Sequence, residues 1–229
     1  MDTMKPFKNK SYKRSPEVLE WERFYNDKGQ PILIDIESDK KVFFISDTHF
    51  FHSKVIEYSD RPFVDYKDMN EVLLTNWNET IGEDDVVFFL GDFICGYNMQ
   101  HHQQVHSKHI SHNLWNMLNG NKFFVMGNHD ETRKLSSEIV RHKHMILTYK
   151  GKRIYLNHEP VMADKFKNEF QCHYHLFGHL HCNPFIEKSH RDSPNFIYSL
   201  DSRCVSVECI DYKPKLLDVI LEEIDNGIF

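Results

Sequence analysis

Five times in this chain an apolar run stops and a metal-binding side chain follows at once. The runs continue as Ser46-Asp47-Thr48-His49, Leu90-Gly91-Asp92-Phe93, Met126-Gly127-Asn128-His129-Asp130, Leu156-Asn157-His158-Glu159 and Phe177-Gly178-His179-Leu180-His181. Carboxylate, amide oxygen and imidazole are hard or borderline ligands that suit manganese, iron or zinc, and no thiolate belongs to the set. If two cations sit about 3.5–4 Å apart, an anion must lie between them, so one carboxylate has to be shared. Asp47 and His49 flank Thr48, and an extended backbone would aim both to one side; His179 and His181 flank Leu180 in the same way. Gly91, Gly127 and Gly178 each precede a ligand, where a backbone must turn sharply or come close to a neighbour.

No single piece is decisive. Histidine is abundant, 16 of 229 residues, so His-x-His recurs by chance. His142/His144 and His173/His175 have that spacing too and are left out of the site. Gly-Asp is common in turns. The ordered set, each member at a strand end, is what chance does not supply.

These residues need a scaffold. Lys41–Ser46, Val86–Leu90 and Lys122–Met126 are short β-branched and aromatic runs that read as buried strands. Tyr66–Ile81 has Met69, Val72, Leu73, Trp77 and Ile81 spaced for one helical face, Met99–Leu118 reads as a second helix, and a third lies around Glu131–Val140. Met145–Tyr149 and Arg153–Asn157 form a hairpin turning at Lys150-Gly151; Leu176-Phe177, Asn195–Leu200 and Val205–Ile210 read as strands, and Lys215–Ile224 as a closing helix. Strand–helix alternation followed by a strand-rich half predicts two mixed sheets with helices outside. Sites in such folds gather beyond the carboxyl ends of the strands. The expected organisation is a polar arm with a short helix over residues 1–30, then one domain over 31–229.

The motifs Asp47-x-His49, Gly91-Asp92, Gly127-Asn128-His129-Asp130, His158 and Gly178-His179-x-His181, in this order, resemble those of the calcineurin-like metallophosphoesterases, and the tail, with Val205–Ile210, Asp211-Tyr212-Lys213-Pro214 and a closing helix, resembles the ending of small bacterial and phage members. The resemblance spans about residues 41–182 and implies a four-layer α/β/β/α sandwich with a dimetal site at the strand ends. It implies that Asp47, His49 and His181 hold one metal, that Asn128, His158 and His179 hold the other, and that Asp92 bridges them. His129 would then protonate the leaving oxygen or stabilise the phosphoryl group, and Asp130 would orient His129. The implied cofactors are two divalent ions (manganese, iron or zinc, with nickel possible) that activate a hydroxide to cleave a phosphate ester. Two positions depart from the common pattern: Cys95 stands where many members carry a second Asp, and Asn157 where many carry Gly. His52 and Arg61 lie close to the first motif and are candidates to touch substrate, Arg61 through its planar fork.

Composition narrows the partners. The formal net charge is −6, which excludes a generally basic nucleic-acid-coating surface, though residues 1–14 carry a local basic excess. No apolar run is long enough for a membrane span. The start has no apolar stretch after its basic residues, and the five cysteines are odd in number without Cys-x-x-Cys spacing. These features read as a reduced cytoplasmic protein. His101, His102, His106, His109 and His112 read as a solvated helix face. The expected partner is a phosphate-ester substrate: a nucleotide, a short oligonucleotide or a phosphorylated small molecule. A histidine at position 49 tilts the family resemblance toward phosphodiesters. The rival readings are a non-catalytic scaffold of the same fold, disfavoured because every ligand position is filled, and a nuclease acting on short nucleic-acid ends. Oligomeric state is not legible.

Overall fold

A computed structural model describes residues 31–95, 107–132, 135–181 and 200–228. The expected arm and helix over 1–30, most of the Asn195–Leu200 strand and the start of the Met99–Leu118 helix lie outside these residues. The chain forms two five-stranded mixed sheets. In chain order the strands are β1 (Ile32–Ile36), β2 (Val42–Ile45), β3 (Val86–Phe89), β4 (Asn121–Val125), β5 (Arg141–His142), β6 (His144–Tyr149), β7 (Lys152–Asn157), β8 (Tyr174–Phe177), β9 (Ser202–Cys204) and β10 (Lys215–Leu216). One sheet has the order β10-β2-β3-β4-β5, the other β1-β6-β7-β8-β9.

The β2, β3, β4 and β5 strands are mutually parallel, as are β7, β8 and β9. Parallel pairing places the carboxyl ends of β2, β3 and β4 on one edge, and those of β7 and β8 together on one edge of the other sheet. All five ligand-bearing turns follow these ends.

Burial on both faces explains the unbroken apolar runs. Phe43, Ile45, Val87 and Phe89 face a helical layer built from α1 (Ser53–Tyr58), α2 (Tyr66–Thr80) and α3 (Ser107–Met117), packing with Val55, Met69, Leu73, Trp77 and Trp115. The alternate residues Val42, Phe44, Val86 and Phe88 face the second sheet, meeting Met145, Leu147, Ile154, Leu156 and Leu176. Helix α5 (Leu217–Asp225) inserts Leu217, Ile220, Leu221 and Ile224 into the same interior. On the far face of the second sheet, Ile146 and Tyr155 are covered by Phe166 of a π-helical turn, Lys165–Glu169.

Several elements differ from the sequence reading. The third helix is α4 (Asn128–Thr132), starting on the candidate ligand Asn128 itself. It does not run on to residue 140, because the Ser136 hydroxyl accepts the Glu138 N–H (3.3 Å) and the Ser136 N–H goes to the Ser111 hydroxyl (3.0 Å), which competes with helical bonding. Val207–Ile210 is a 3-10 turn rather than a strand, closed by Asp211 at φ 53°. The hairpin turns where expected, with Lys150 and Gly151 both at positive φ. Strands β1, β5, β9 and β10 were not foreseen. Cys95, Cys172 and Cys204 are free thiols, whereas Cys209 is disulfide-bonded, against the reading of five reduced cysteines. Among the described residues no helix is long and apolar enough to cross a membrane.

His175 of β8 has no exposure and lies among Tyr155, Phe166 and Phe177. Its Nε2–H donates to Asn157 Oδ1 at 2.6 Å, so the departure at Asn157 supplies an acceptor to a core histidine. Burial, with Lys165 adding, pushes its ring from 6.5 down to about 3. Between these values the unfolded chain takes a proton that the folded chain refuses, so stability rises with pH across that window. Urea unfolding from pH 4 to 7 should show this rise, and His175→Gln should remove up to roughly 1.4 kcal/mol per pH unit of the slope.

Candidate metal centre

The turns after β2 and β3 are tied directly: the Asp47 N–H donates to Gly91 O (2.9 Å) and the His49 N–H to Asp92 O (3.0 Å). The two sheets join nearby, where the Ser46 N–H donates to Val205 O (2.9 Å), and within the second sheet the turns after β7 and β8 are tied by the Gly178 N–H to His158 O (2.9 Å). The expected extended backbone around Thr48 and Leu180 is not what aims the ligands. Asp47, His49, Asp92, His179 and His181 all have left-handed φ, between 47° and 72°. Asp and His are among the side chains that visit this region most readily, but each still costs on the order of 1 kcal/mol. Close approach explains two of the glycines. A Cβ on Gly127 would lie 2.2 Å from Asp92 Oδ1, and one on Gly178 2.4 Å from Asp47 Oδ2.

The seven ligands of the sequence reading come together. His49 Nε2 lies 3.2 Å from His181 Nε2, and Asp47 Oδ1 lies 3.5 Å from His181 Nε2 and 3.9 Å from His49 Nε2. In a second set, Asn128 Oδ1 lies 2.9 Å from His158 Nε2 and 3.2 Å from His179 Nδ1. Asp92 Oδ2 stands 3.5 Å from His49 Nε2 of the first set and 3.5 Å from His158 Nε2 of the second. Donors about 2.1 Å from one zinc-sized ion are separated by roughly 3.0–3.4 Å, close to these spacings. The neighbours His179 and His181 thus part, one to each set.

Both carboxylates are anchored by one oxygen and offer the other. Asp47 Oδ2 accepts bonds from the Ser46 hydroxyl (2.6 Å), the Ser206 hydroxyl (2.8 Å) and the His179 N–H (2.9 Å). Its Oδ1 is buried and has no hydrogen-bond partner among the described residues. A buried, orphaned carboxylate oxygen pointing at two imidazole nitrogens fits a cation ligand. Asp92 Oδ1 accepts the His129 N–H (2.9 Å), leaving Oδ2 between the sets. Ring tautomers agree. His158 Nδ1–H donates to Leu90 O and His181 Nδ1–H to Glu208 Oε1, both at 2.8 Å, which frees each Nε2 as a ligand. Burial alone would raise the Asp47 carboxyl, but His181, His158 and His49 outweigh it and hold it well below the usual carboxylate range. Burial works against charging His158, yet Asp47 and Asp92 lift it to about 9.

A family model for calcineurin-like phosphoesterases matches residues 40–160. The chain belongs to the calcineurin-like phosphoesterase family. Its general chemistry is metal-dependent hydrolysis of phosphoesters. An uncharacterized protein of Methanocaldococcus jannaschii is 35% identical over 195 residues, covering 83% of this chain and 94% of its own. A protein of unknown function from Aquifex aeolicus has a similar solved structure, with a TM-score of 0.56 and 28% identity over 80% of this chain and 98% of that one.

Within this phosphoesterase, the remaining sequence candidates fall in different places. His129 is the open one: its side chain is 43% exposed and its Nε2 lies 4.0 Å from Asp92 Oδ2. Asp130 was expected to orient His129, but its carboxylate is occupied elsewhere. It accepts the N–H groups of Asp92 (2.7 Å), Gly127 (2.8 Å) and Phe93 (3.1 Å), stitching the β3 and β4 turns together. Burial and the neighbouring Asp92 raise its carboxyl to about 6. Arg61 does not offer its fork to the open side. It is 4% exposed and donates to Glu208 Oε1 and to the carbonyls of Asp47 (2.7 Å) and Thr48 (3.0 Å). Its charge braces the first ligand turn from behind. His52 sits beside His49, ring centres 5.7 Å apart.

Glu208 escaped the sequence reading, as did Ser46 and Ser206. A glutamate in a run that looks like a strand carries no signal. Its one oxygen, Oε1, receives both Arg61 and His181. Glu208→Gln should weaken metal binding by roughly 10–100-fold, read as a shift in the chelator concentration that strips the protein, with the fold retained.

Proposed function

We propose that this chain hydrolyses phosphate esters at the centre formed by Asp47, His49, His181, Asp92, Asn128, His158 and His179, with phosphodiesters of nucleotide type favoured over monoesters. The observation that carries the reading is the position of Asp92 Oδ2 between the two ligand sets, 3.5 Å from a nitrogen of each. The full set of seven, His49 included, supports the diester preference. Two divalent ions of the manganese, iron, zinc or nickel group would neutralise phosphoryl charge and lower the pKa of a shared water.

The protein's own groups do the rest. Asp47 and Asp92 supply the negative charge that makes two cations tolerable in a buried site. Asn128 and His179 complete the second set from its more exposed side. His129, exposed beside Asp92, donates a proton from its ring to the departing oxygen. The Asp130 carboxylate keeps the Asp92 and His129 turns in register.

The test is to deplete the protein of metal, restore manganese, zinc or nickel, and assay mono- and bis-nitrophenyl phosphate with a nucleotide panel. Metal-dependent hydrolysis, faster on the diester, is expected. A fully loaded protein inert toward every compound would favour the scaffold reading.

A further inference from the structure

Beside the first ligand set lies a cluster of different chemistry. One nitrogen of His49, one of His52 and the Sγ of Cys95 lie within 4.8 Å of one another. Cys95 is buried and His52 half-buried. Both follow from local structure: Phe50 and Ile94 form a parallel bridge, and the Cys95 N–H donates to Phe50 O (3.2 Å), so the segments beyond β2 and β3 run side by side.

His49 links the two clusters because an imidazole has a nitrogen on each edge. Nε2 faces His181 and Asp92. Nδ1 is buried without a hydrogen-bond partner among the described residues, on a residue only 2% exposed. His158 and His181 hand the corresponding N–H to an oxygen, the usual arrangement for a metal-binding histidine. Among the described residues His49 has no such oxygen, which leaves Nδ1 for another role.

We propose that His49 Nδ1, His52 and the Cys95 thiolate bind a third cation, a soft divalent ion of the zinc or cadmium class. A thiolate with two imidazoles selects such ions, unlike the carboxylate- and amide-bearing sets next to it. Binding releases one proton from the Cys95 thiol and one from the His49 ring to solvent; no other bond changes. Cys95 Sγ lies 3.8 Å from His129 Nδ1. An ion on the thiolate therefore sits against the ring that delivers the proton, and it lowers turnover. That inhibitory consequence rests on the function proposed above; the binding itself does not.

The test is a cadmium titration of metal-depleted full-length protein, counting ions per chain after gel filtration and recording sulfur-to-cadmium charge-transfer absorption. Three ions are expected, the absorption appearing with one of them. Cys95→Ser and Cys95→Ala should each bind two ions and lose the absorption. His52→Asn, at a half-exposed position, should also lose the third ion and serves if the cysteine variants do not fold. Two ions without the absorption in the parent, or absorption that survives in both cysteine variants, overturns the third site. A parent that binds no cadmium at all overturns the dimetal reading as well, so the two failures are told apart.

Discussion

Replacing Asp92 with Asn is expected to lower metal-dependent turnover by at least about 10³-fold, the rate equivalent of the several kcal/mol that paired ions contribute to such a reaction. The reason is local. Asp92 Oδ2 stands 3.5 Å from a nitrogen of each candidate ligand set, the place of the proposed bridge. An amide there offers one neutral oxygen, or turns an N–H2 toward the cations. The anchoring bond from the His129 N–H to Oδ1 survives in an amide whose oxygen takes that place, so the turn itself should persist. Elemental analysis should find fewer than two ions per chain while circular dichroism stays as in the parent. Parental turnover in a folded variant would remove Asp92 from the bridging position.

His129→Ala should act in the opposite pattern: two ions retained, kcat reduced by roughly 10²–10⁴. The imidazole is not needed to hold the turn, because it is the backbone N–H of residue 129 that secures Asp92, and alanine keeps it. The side chain is the most open of the histidines around Asp92, where an incoming ester meets it first. Substrates with very good leaving groups need little protonation, so the loss should be smaller on nitrophenyl esters than on alkyl esters. An equal loss on both would point to phosphoryl binding rather than proton transfer.

The candidate ligands could be picked out because each is a metal-binding side chain in a fixed place, close behind an apolar run. Parallel pairing then does what the sequence cannot display, carrying Asp47, Asp92 and Asn128 to one edge and His158 and His179 to meet them. The geometry of approach was misread. Alternation in an extended segment suggested how Asp47 and His49 could point together, whereas the turns use left-handed residues, a property that spacing does not encode. Glu208 and Ser206 were illegible because their partners lie far along the chain: Ser206 reaches Asp47 across 159 positions. The backbone bonds of Asp130 were illegible for a related reason, since they go to N–H groups that every residue has. Among the strands, β5 and β10 are two residues each, too short for any periodicity. Strand β1 is an edge with alternate residues exposed, so it lacks the dense apolar signature of β2 and β3.

The left-handed turns have one more implication. Their conformations are fixed by strand pairing and by carboxylates tied to N–H and hydroxyl groups, bonds made within the chain itself. A cage held in this way has little means of rejecting one borderline ion in favour of another by reshaping itself. What fills it is then governed by supply, following the general ranking of divalent affinities. Preparations grown in media of different trace-element content should therefore differ in their catalytic rate constants while sharing one melting profile after stripping.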